Sequence, residues 1–476
     1  MSITTEVRPP TGAPLGKLAM WAVLALVLLA DALDMIDATV TNIAAPTIVD
    51  HIGGGAGLIK WLGASYALAM GVLLVIGGRL GDRYGQRRLF LIGMSGFTLA
   101  SAACGLAAGP GVLIFARILQ GAFGALLVPQ GMAIITRHFT PDMRRTSFNL
   151  FGPLLGIATV GGPVLAGFVI DADFAGLSWR PIFLVNLLLG TLGVVLAARI
   201  LPRDNADRSV TVDGAGAGIL AVAMFGTMFG LIEGSETDWS PFSLAALAIG
   251  VIFLLLFARR QRTAAAPLIE PSLFRNKGFT SGLLVGLMFF AVTNGLGFVI
   301  SLFIQQALGA GPGSAALGLL PLTLGIIAGA GAGMALTKKL GRTLILVGML
   351  VTLAGAGWLL ALVITSGTDV TLLALAPAGV LTGIGMGACF GTLFDITIGD
   401  TAPAEAGSAS GTLTAVQQLA TALGSATVTT VYLHGGAPDH AMTLAIITVM
   451  AVTVICLPLL RLLPKSAPAH NPAPGH

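Results

Sequence analysis

The stretch Leu18–Pro46, LAMWAVLALVLLADALDMIDATVTNIAAP, decides how the rest of the chain is read. It is apolar for long enough to cross a bilayer core of ~30 Å as one helix. Yet it carries three acids, Asp31, Asp34 and Asp37, spaced by three. An ionised carboxylate at the bilayer centre costs about 2.5–3.5 kcal/mol on insertion scales, so a helix that keeps three should turn them away from lipid. The spacing predicts that they look into a wet cavity where protons or cations can meet them. On an α-helix they spread over roughly 120° and about 9 Å of rise, with Asp34 in the middle. Counting from Trp21 as an interfacial anchor, Asp31 and Asp34 fall near mid-membrane and Asp37 toward the far side. Desolvation and mutual repulsion favour the protonated form of at least one of them. A group that can be neutral or charged near physiological pH is what proton coupling requires. A cationic substrate would compete with that proton. The alternative is that one or two of the acids are buried hydrogen-bond partners for hydroxyls such as Thr39 and Thr41.

The composition agrees with a membrane-embedded chain. Of 476 residues, 55% are hydrophobic and 10% charged, whereas soluble domains run near ~25% charged. The mean hydropathy is +0.92. The fold class expected is all-α integral membrane. Fourteen apolar stretches of about twenty residues can be counted, as a helix needs to span the hydrocarbon. Six lie in residues 18–201, two in 202–278 after a polar hinge, and six in 279–463; residues 1–17 and 464–476 read as cytoplasmic tails. Loop charge tests that count independently. With both ends of the chain cytoplasmic, all but three of the 25 Lys and Arg fall on the inner side. Lys60 and Arg180 fall outside, and Arg117 lies within a span. The net charge of +4 therefore reflects topology rather than a nucleic-acid partner.

Several catalytic classes find no support. There is no GxxxxGK[ST] phosphate loop, and the glycine cluster Ala328–Gly333 reads as a helix-packing surface. The six histidines have no metal-ligand spacing, and Cys104, Cys389 and Cys456 are scattered through apolar segments. No cofactor, metal or enzymatic activity is expected.

The stretch Gly78–Arg88, GRLGDRYGQRR, resembles the signature loop of the major facilitator superfamily. Asp37–Pro46, DATVTNIAAP, is similar to the first-span motif of its fourteen-span drug:proton antiporters. Arg117, Gln120 and Gly121 in RILQGAFGA resemble the fourth-span motif. Gly156, Gly161, Gly162, Pro163 and Gly167 resemble the fifth-span antiporter motif. The region around Gln305, Gly309 and Pro321 looks like the same branch. Nearly the whole chain is covered, and GMALTKKLGR in the second half weakly echoes the signature loop.

The resemblance implies a major facilitator fold: two six-helix bundles with two extra central helices, rocking around a central cavity. It implies a proton-coupled multidrug efflux antiporter that exports lipophilic, cationic compounds by alternating access. The setting would be a bacterial plasma membrane, the chain a multi-pass monomer, and its partners small molecules, protons and lipid. Export of an endogenous metabolite, such as an antibiotic or siderophore, or translocation of a lipid or amphiphile, would keep the same fold. The family motif puts Asp37 first as the proton-coupling acid, position in the bilayer puts Asp34 second, and Asp31 comes third. Arg117 must find a partner inside the membrane, either a first-span aspartate or backbone carbonyls. Asp82, with Arg83, Arg87, Gly78 and Gly85, is expected to form a conformational latch near the start of the thirteenth span, TAPAEAG. The fifth-span glycines and Pro163 are read as a packing and hinge device without substrate chemistry. Asp395, in CFGTLFDIT, is a candidate second cation or proton site.

Overall fold

The computed structural model describes residues 16–465 apart from 204–207, 209–210, 238, 265–266, 270, 400 and 402–405. Within these the chain is all-helical. A first group comprises α1 (Lys17–Ile52), α2 (Gly55–Tyr84), α3 (Gln86–Gly105), α4 (Pro110–His138), α5 (Pro141–Asp171) and α6 (Pro181–Ile200). Then come α7 (Gly214–Glu236) and α8 (Pro241–Thr263). The last group comprises α9 (Lys277–Leu302), α10 (Pro312–Leu340), α11 (Arg342–Ser366), α12 (Leu372–Gly399), α13 (Ala406–Leu433) and α14 (Pro438–Leu459).

Local chemistry explains many of these boundaries. Prolines occupy the first turn of α4, α5, α6, α8, α10 and α14. Their missing N–H would be unpaired there anyway, and their fixed φ suits a helix start. The turn between α2 and α3 is a single residue, Gly85, at φ +95°, a conformation that a side chain would strain. Asp213 and Asn276 cap α7 and α9 by accepting from Gly216 and Phe279 backbone N–H groups.

Among the described residues, twelve helical stretches are long and apolar enough to cross a membrane. α13 falls outside that set, and the packing supplies a reason; of α5 only the apolar stretch Gly161–Asp171 enters the comparison. α13 lies against α2 and α9. A helix covered by protein on these faces needs less apolar surface than one facing lipid.

The packing repeats with an offset of eight elements. α2 and α3 both pack on α4, α1 on α5 and α3 on α6; likewise α10 and α11 pack on α12, α9 on α13 and α11 on α14. The contacts between the two groups obey the same offset, since α2 meets α13 and α10 meets α5. A two-fold scheme that the loop sequences barely preserve is thus explicit in the helix contacts. Bare backbone makes the tightest crossings possible: a Cβ on Gly383 of α12 would lie 3.0 Å from the Gly325 Cα of α10. α7 and α8 pack on each other, and α7 also contacts α2 and α13.

The apolar core is distributed unequally along the membrane normal. One cluster joins the last group to the ends of α1–α6 away from the arginine-rich loops, through residues such as Ile43, Leu62, Ala166 and Phe183. At the arginine-rich end α1–α6 keep a separate cluster around Leu24, Val27, Phe90 and Ile135. Among the described residues, the two groups are therefore sealed by a continuous apolar core at one end only. Lys60, expected at the membrane surface, is instead fully buried within α2.

Candidate functional site

The three acids of α1 do not face the space between the two groups. Asp31, Asp34 and Asp37 are 6%, 2% and 0% exposed, and the partners found for Asp34 and Asp37 belong to α2, α4 and α6. The expectation that they line a wet cavity is corrected accordingly. Spacing by three puts them on one stripe of α1, and helical periodicity alone does not say which neighbour that stripe meets. The half-exposed stripe of α1 carries Ala32, Met35, Ile36 and Thr39 instead.

α4 supplies the complementary face. Arg117, Gln120, Gly121 and Gly124 recur at helical spacing, so they share one side. Arg117, 1% exposed, forms an ion pair with Asp37. It also donates to Gln120 Oε1 at 2.8 Å, while Gln120 Nε2 donates to Ser101 Oγ of α3 at 2.7 Å. Asn186 of α6 donates through Nδ2 to Asp37 Oδ1 at 2.9 Å. Of the two partners expected for Arg117, the structure supplies the aspartate.

Asp34 has a different environment. The Tyr66 hydroxyl of α2 donates to Asp34 Oδ1, and the Arg117 guanidinium lies over the Tyr66 ring, 4.5 Å from its centroid. Tyr66 thereby touches both carboxylate sites, one by its hydroxyl and the other through the cation on its ring. The approach needs a glycine on α4: a Cβ at Gly124 would stand 2.7 Å from Asp34 Oδ1 and 3.1 Å from the Tyr66 hydroxyl. Asp31, one turn further toward the arginine-rich end, has a buried Oδ1 with no hydrogen-bond partner. The network therefore grades from Asp37, which holds a cation and two amide-bearing neighbours, to Asp31, which has an orphaned oxygen.

Sequence reasoning did not single out Tyr66, Asn186 or Ser101. A signal existed, because each is a polar group inside an apolar stretch and needs a hydrogen-bond partner when buried. Nothing in the spacing said that those partners would be the acids of α1.

The arginine-rich loop is arranged otherwise than expected. Asp82 pairs with Arg137 at the end of α4, at 2.5 Å, and both side chains are almost half exposed. Arg83 follows Asp82 directly on α2 and points elsewhere, as adjacent helical residues do; its guanidinium lies 5.5 Å from the Tyr84 ring centroid. Arg87 donates to the Ala198 carbonyl of α6 at 2.5 Å. Gly85 makes the turn, but a Cβ on Gly78 would meet nothing within 4 Å. The close approaches come from Gly77 against the Ala125 backbone and Gly81 against the Gln130 side chain. The segment TAPAEAG lies largely outside the described residues.

In the fifth-span motif, Gly162 and Gly167 are the close-packed glycines. A Cβ on Gly162 would come within 3.3 Å of the Ile36 Cα in α1. One on Gly167 would lie 2.6 Å from the Gly313 Cα of α10, across the junction between the groups. Just beyond it, Asp171 Oδ2 accepts from the Gly313 backbone N–H at 3.0 Å. Gly161 has open space around its Cβ position, Pro163 is half-buried, and the surroundings of Gly156 lie outside the described residues.

Asp395 is exposed on α12, four residues before the helix ends at Gly399. It is not brought near the acids of α1 by any contact described.

A sequence model described as Major Facilitator Superfamily matches residues 27–425. A probable actinorhodin transporter of Streptomyces coelicolor is 39% identical over 87% of this chain and 72% of its own length. A puromycin resistance protein of Streptomyces alboniger is 33% identical over 91% of this chain and 89% of its own length. Among solved structures, a bacterial homolog of the human lysosomal transporter Spinster, in an inward-facing and occupied conformation, aligns with a TM-score of 0.63 at 16% identity. It covers 94% of this chain and 97% of that one.

Proposed function

Since the chain belongs to the major facilitator superfamily, we propose that it is a fourteen-span exporter that expels lipophilic, cationic small molecules in exchange for protons. Like its relatives, the chain is a multi-pass membrane transporter of the antibiotic- and drug-export type. Proton coupling, cargo charge and topology are the proposal.

One observation carries the coupling. Three carboxyls and one guanidinium are buried together in α1 and α4. If all three acids ionise, two negative charges lack a counter-ion in a site where each uncompensated charge costs several kcal/mol. Protons balance that count. Asp37 already holds Arg117, so Asp34 and Asp31 are the acids that exchange. This moves Asp37, which the family motif puts first, behind the other two. The pathway runs toward the arginine-rich, cytoplasmic end, where the two six-helix groups have separate apolar cores. Rocking about the sealed end would reopen the cleft on the other side. A charge crossing the membrane potential is worth about 2.3 kcal/mol per 100 mV, so one or two protons can drive substantial accumulation.

The names of the relatives support an antibiotic-like cargo, which also keeps open export of a compound the cell itself makes. Reconstituted vesicles with an imposed pH gradient test the reading. Addition of a lipophilic cation should move protons in the wild type and not in Asp34→Asn. Equal proton movement in both proteins would remove Asp34 from the mechanism, and none in the wild type would remove antiport.

A further inference from the structure

If the acids of α1 are enclosed in their own bundle, a cationic cargo in the cleft needs another counter-charge. This step rests on the proposed function only in taking the cleft between the groups as the cargo route. α12 carries an exposed strip at its arginine-rich end: Gly391, Asp395 and Gly399, flanked by the half-buried Phe390, Phe394 and Ile398. The neighbours of α12 include α9 and α10, and these two helices also touch α1, α10 touching α5 as well. α11, which buries the opposite side of α12 through Gly348, Thr352 and Gly355, lies away from the first group. The strip between α9 and α10 therefore looks into the cleft. An ionised Asp395 is consistent with that wet face and costly on a lipid-facing one.

The strip has a shape. With 3.6 residues per turn, Gly391 projects between Phe394 and Asp395, about 60° from the first and about 40° from the second. A Cβ on Gly391 would meet nothing within 4 Å, so the glycine floors an open notch. One wall is aromatic and rigid. The Phe390 and Phe394 rings stack at 14° with centroids 5.9 Å apart. Phe290 of α9 meets both edge-on, at 5.1 and 6.0 Å. The other wall is the Asp395 carboxylate.

We propose that this notch is a cargo-capture subsite for planar aromatic cations, with the ring system against Phe394 and the positive charge at Asp395. A flat ligand fits an aromatic wall by stacking, and only a cation gains from the carboxylate opposite. The subsite is separate from the acids of α1, so cargo and proton do not share a carboxylate.

Ethidium, a planar aromatic cation, and Nile red, a neutral planar dye, are suitable fluorescent probes for the purified full-length protein in nanodiscs. Asp395→Asn should weaken ethidium binding about tenfold and leave Nile red within about twofold. Gly391→Leu, which fills the notch, should weaken both dyes. Asp34→Asn should bind ethidium as the wild type does while losing proton movement. Three results would overturn the subsite: no saturable ethidium binding to the wild type, unchanged ethidium affinity in Asp395→Asn, or a loss in Asp34→Asn as large as in Asp395→Asn. If the dyes behave as expected but no pH-driven transport occurs, the subsite stands and the antiport reading falls.

Discussion

Arg117 offers a quantitative test of the buried network. Replacing it with Met leaves the fully buried Asp37 without its cation and Gln120 Oε1 with only the Cys104 thiol as donor, and removes the charge stacked 4.5 Å from the Tyr66 centroid. Breaking a buried ion pair by deleting one partner typically destabilises by about 3–5 kcal/mol, because the other charge stays uncompensated. Adding Asp37→Asn removes that charge while leaving an amide that can still pair with Asn186. The double variant should therefore recover at least half of the loss, a coupling of about 2 kcal/mol. The three cysteines are all free and buried, so a thiol-reactive fluorogenic dye reports unfolding during a thermal or denaturant ramp. Proton-coupled transport should be lost in both variants. If Arg117→Met is no less stable than wild type, or the double variant is as unstable as the single, the carboxylate and guanidinium are not an obligate pair.

Three further outcomes follow from other contacts. Gly124→Ala places a methyl group 2.7 Å from Asp34 Oδ1; it should disrupt the Tyr66–Asp34 bond and cut pH-driven transport far more than it cuts dye binding, and equal losses in both assays would contradict this. Asp171→Ala removes the acceptor for the Gly313 N–H, a bond worth about 1 kcal/mol. It should shift the balance about fivefold toward opening at the sealed end, seen as faster labelling of a cysteine placed at Gly311, whereas unchanged labelling would mean the bond gates nothing. Asp213 is held below the usual carboxylate range, chiefly by hydrogen bonds from Arg260, with the Gly216 N–H assisting. Its folded-state value is depressed, so its stabilisation is full above the unfolded value near ~3.9 and fades as pH falls through the folded one. Asp213→Asn should thus loosen α7 against α8 at neutral pH, measured by hydrogen exchange, and the difference from wild type should vanish in strong acid. A difference that persisted there would point to packing rather than charge.

Much of the fold was legible because the membrane imposes strict rules. Apolar length marks helices, loop arginines mark one side, and proline and glycine mark many of the ends. Tertiary packing still overrode local signals. Lys60 reads as a surface charge from its place near the start of α2, yet it is buried. α13 is less apolar than its neighbours because α2 covers part of it. Gly78 stands in the signature stretch, but Gly77 and Gly81 make the close contacts, since only the crossing angle decides which face of α2 meets α4.

The acids of α1 show the same division. Their identity, spacing and depth, and the need of Arg117 for a partner, are properties of the sequence, because a charge in a hydrocarbon-length helix must be compensated wherever it points. The direction in which they point is not. Rotation of α1 within its bundle turned the stripe from the cleft to the interior, gave Arg117 to Asp37 and Tyr66 to Asp34, and left Asp31 with an unpaired oxygen. Asp395, on a different bundle, is exposed instead. Helical periodicity says which residues share a face; only packing against particular neighbours chooses what that face meets.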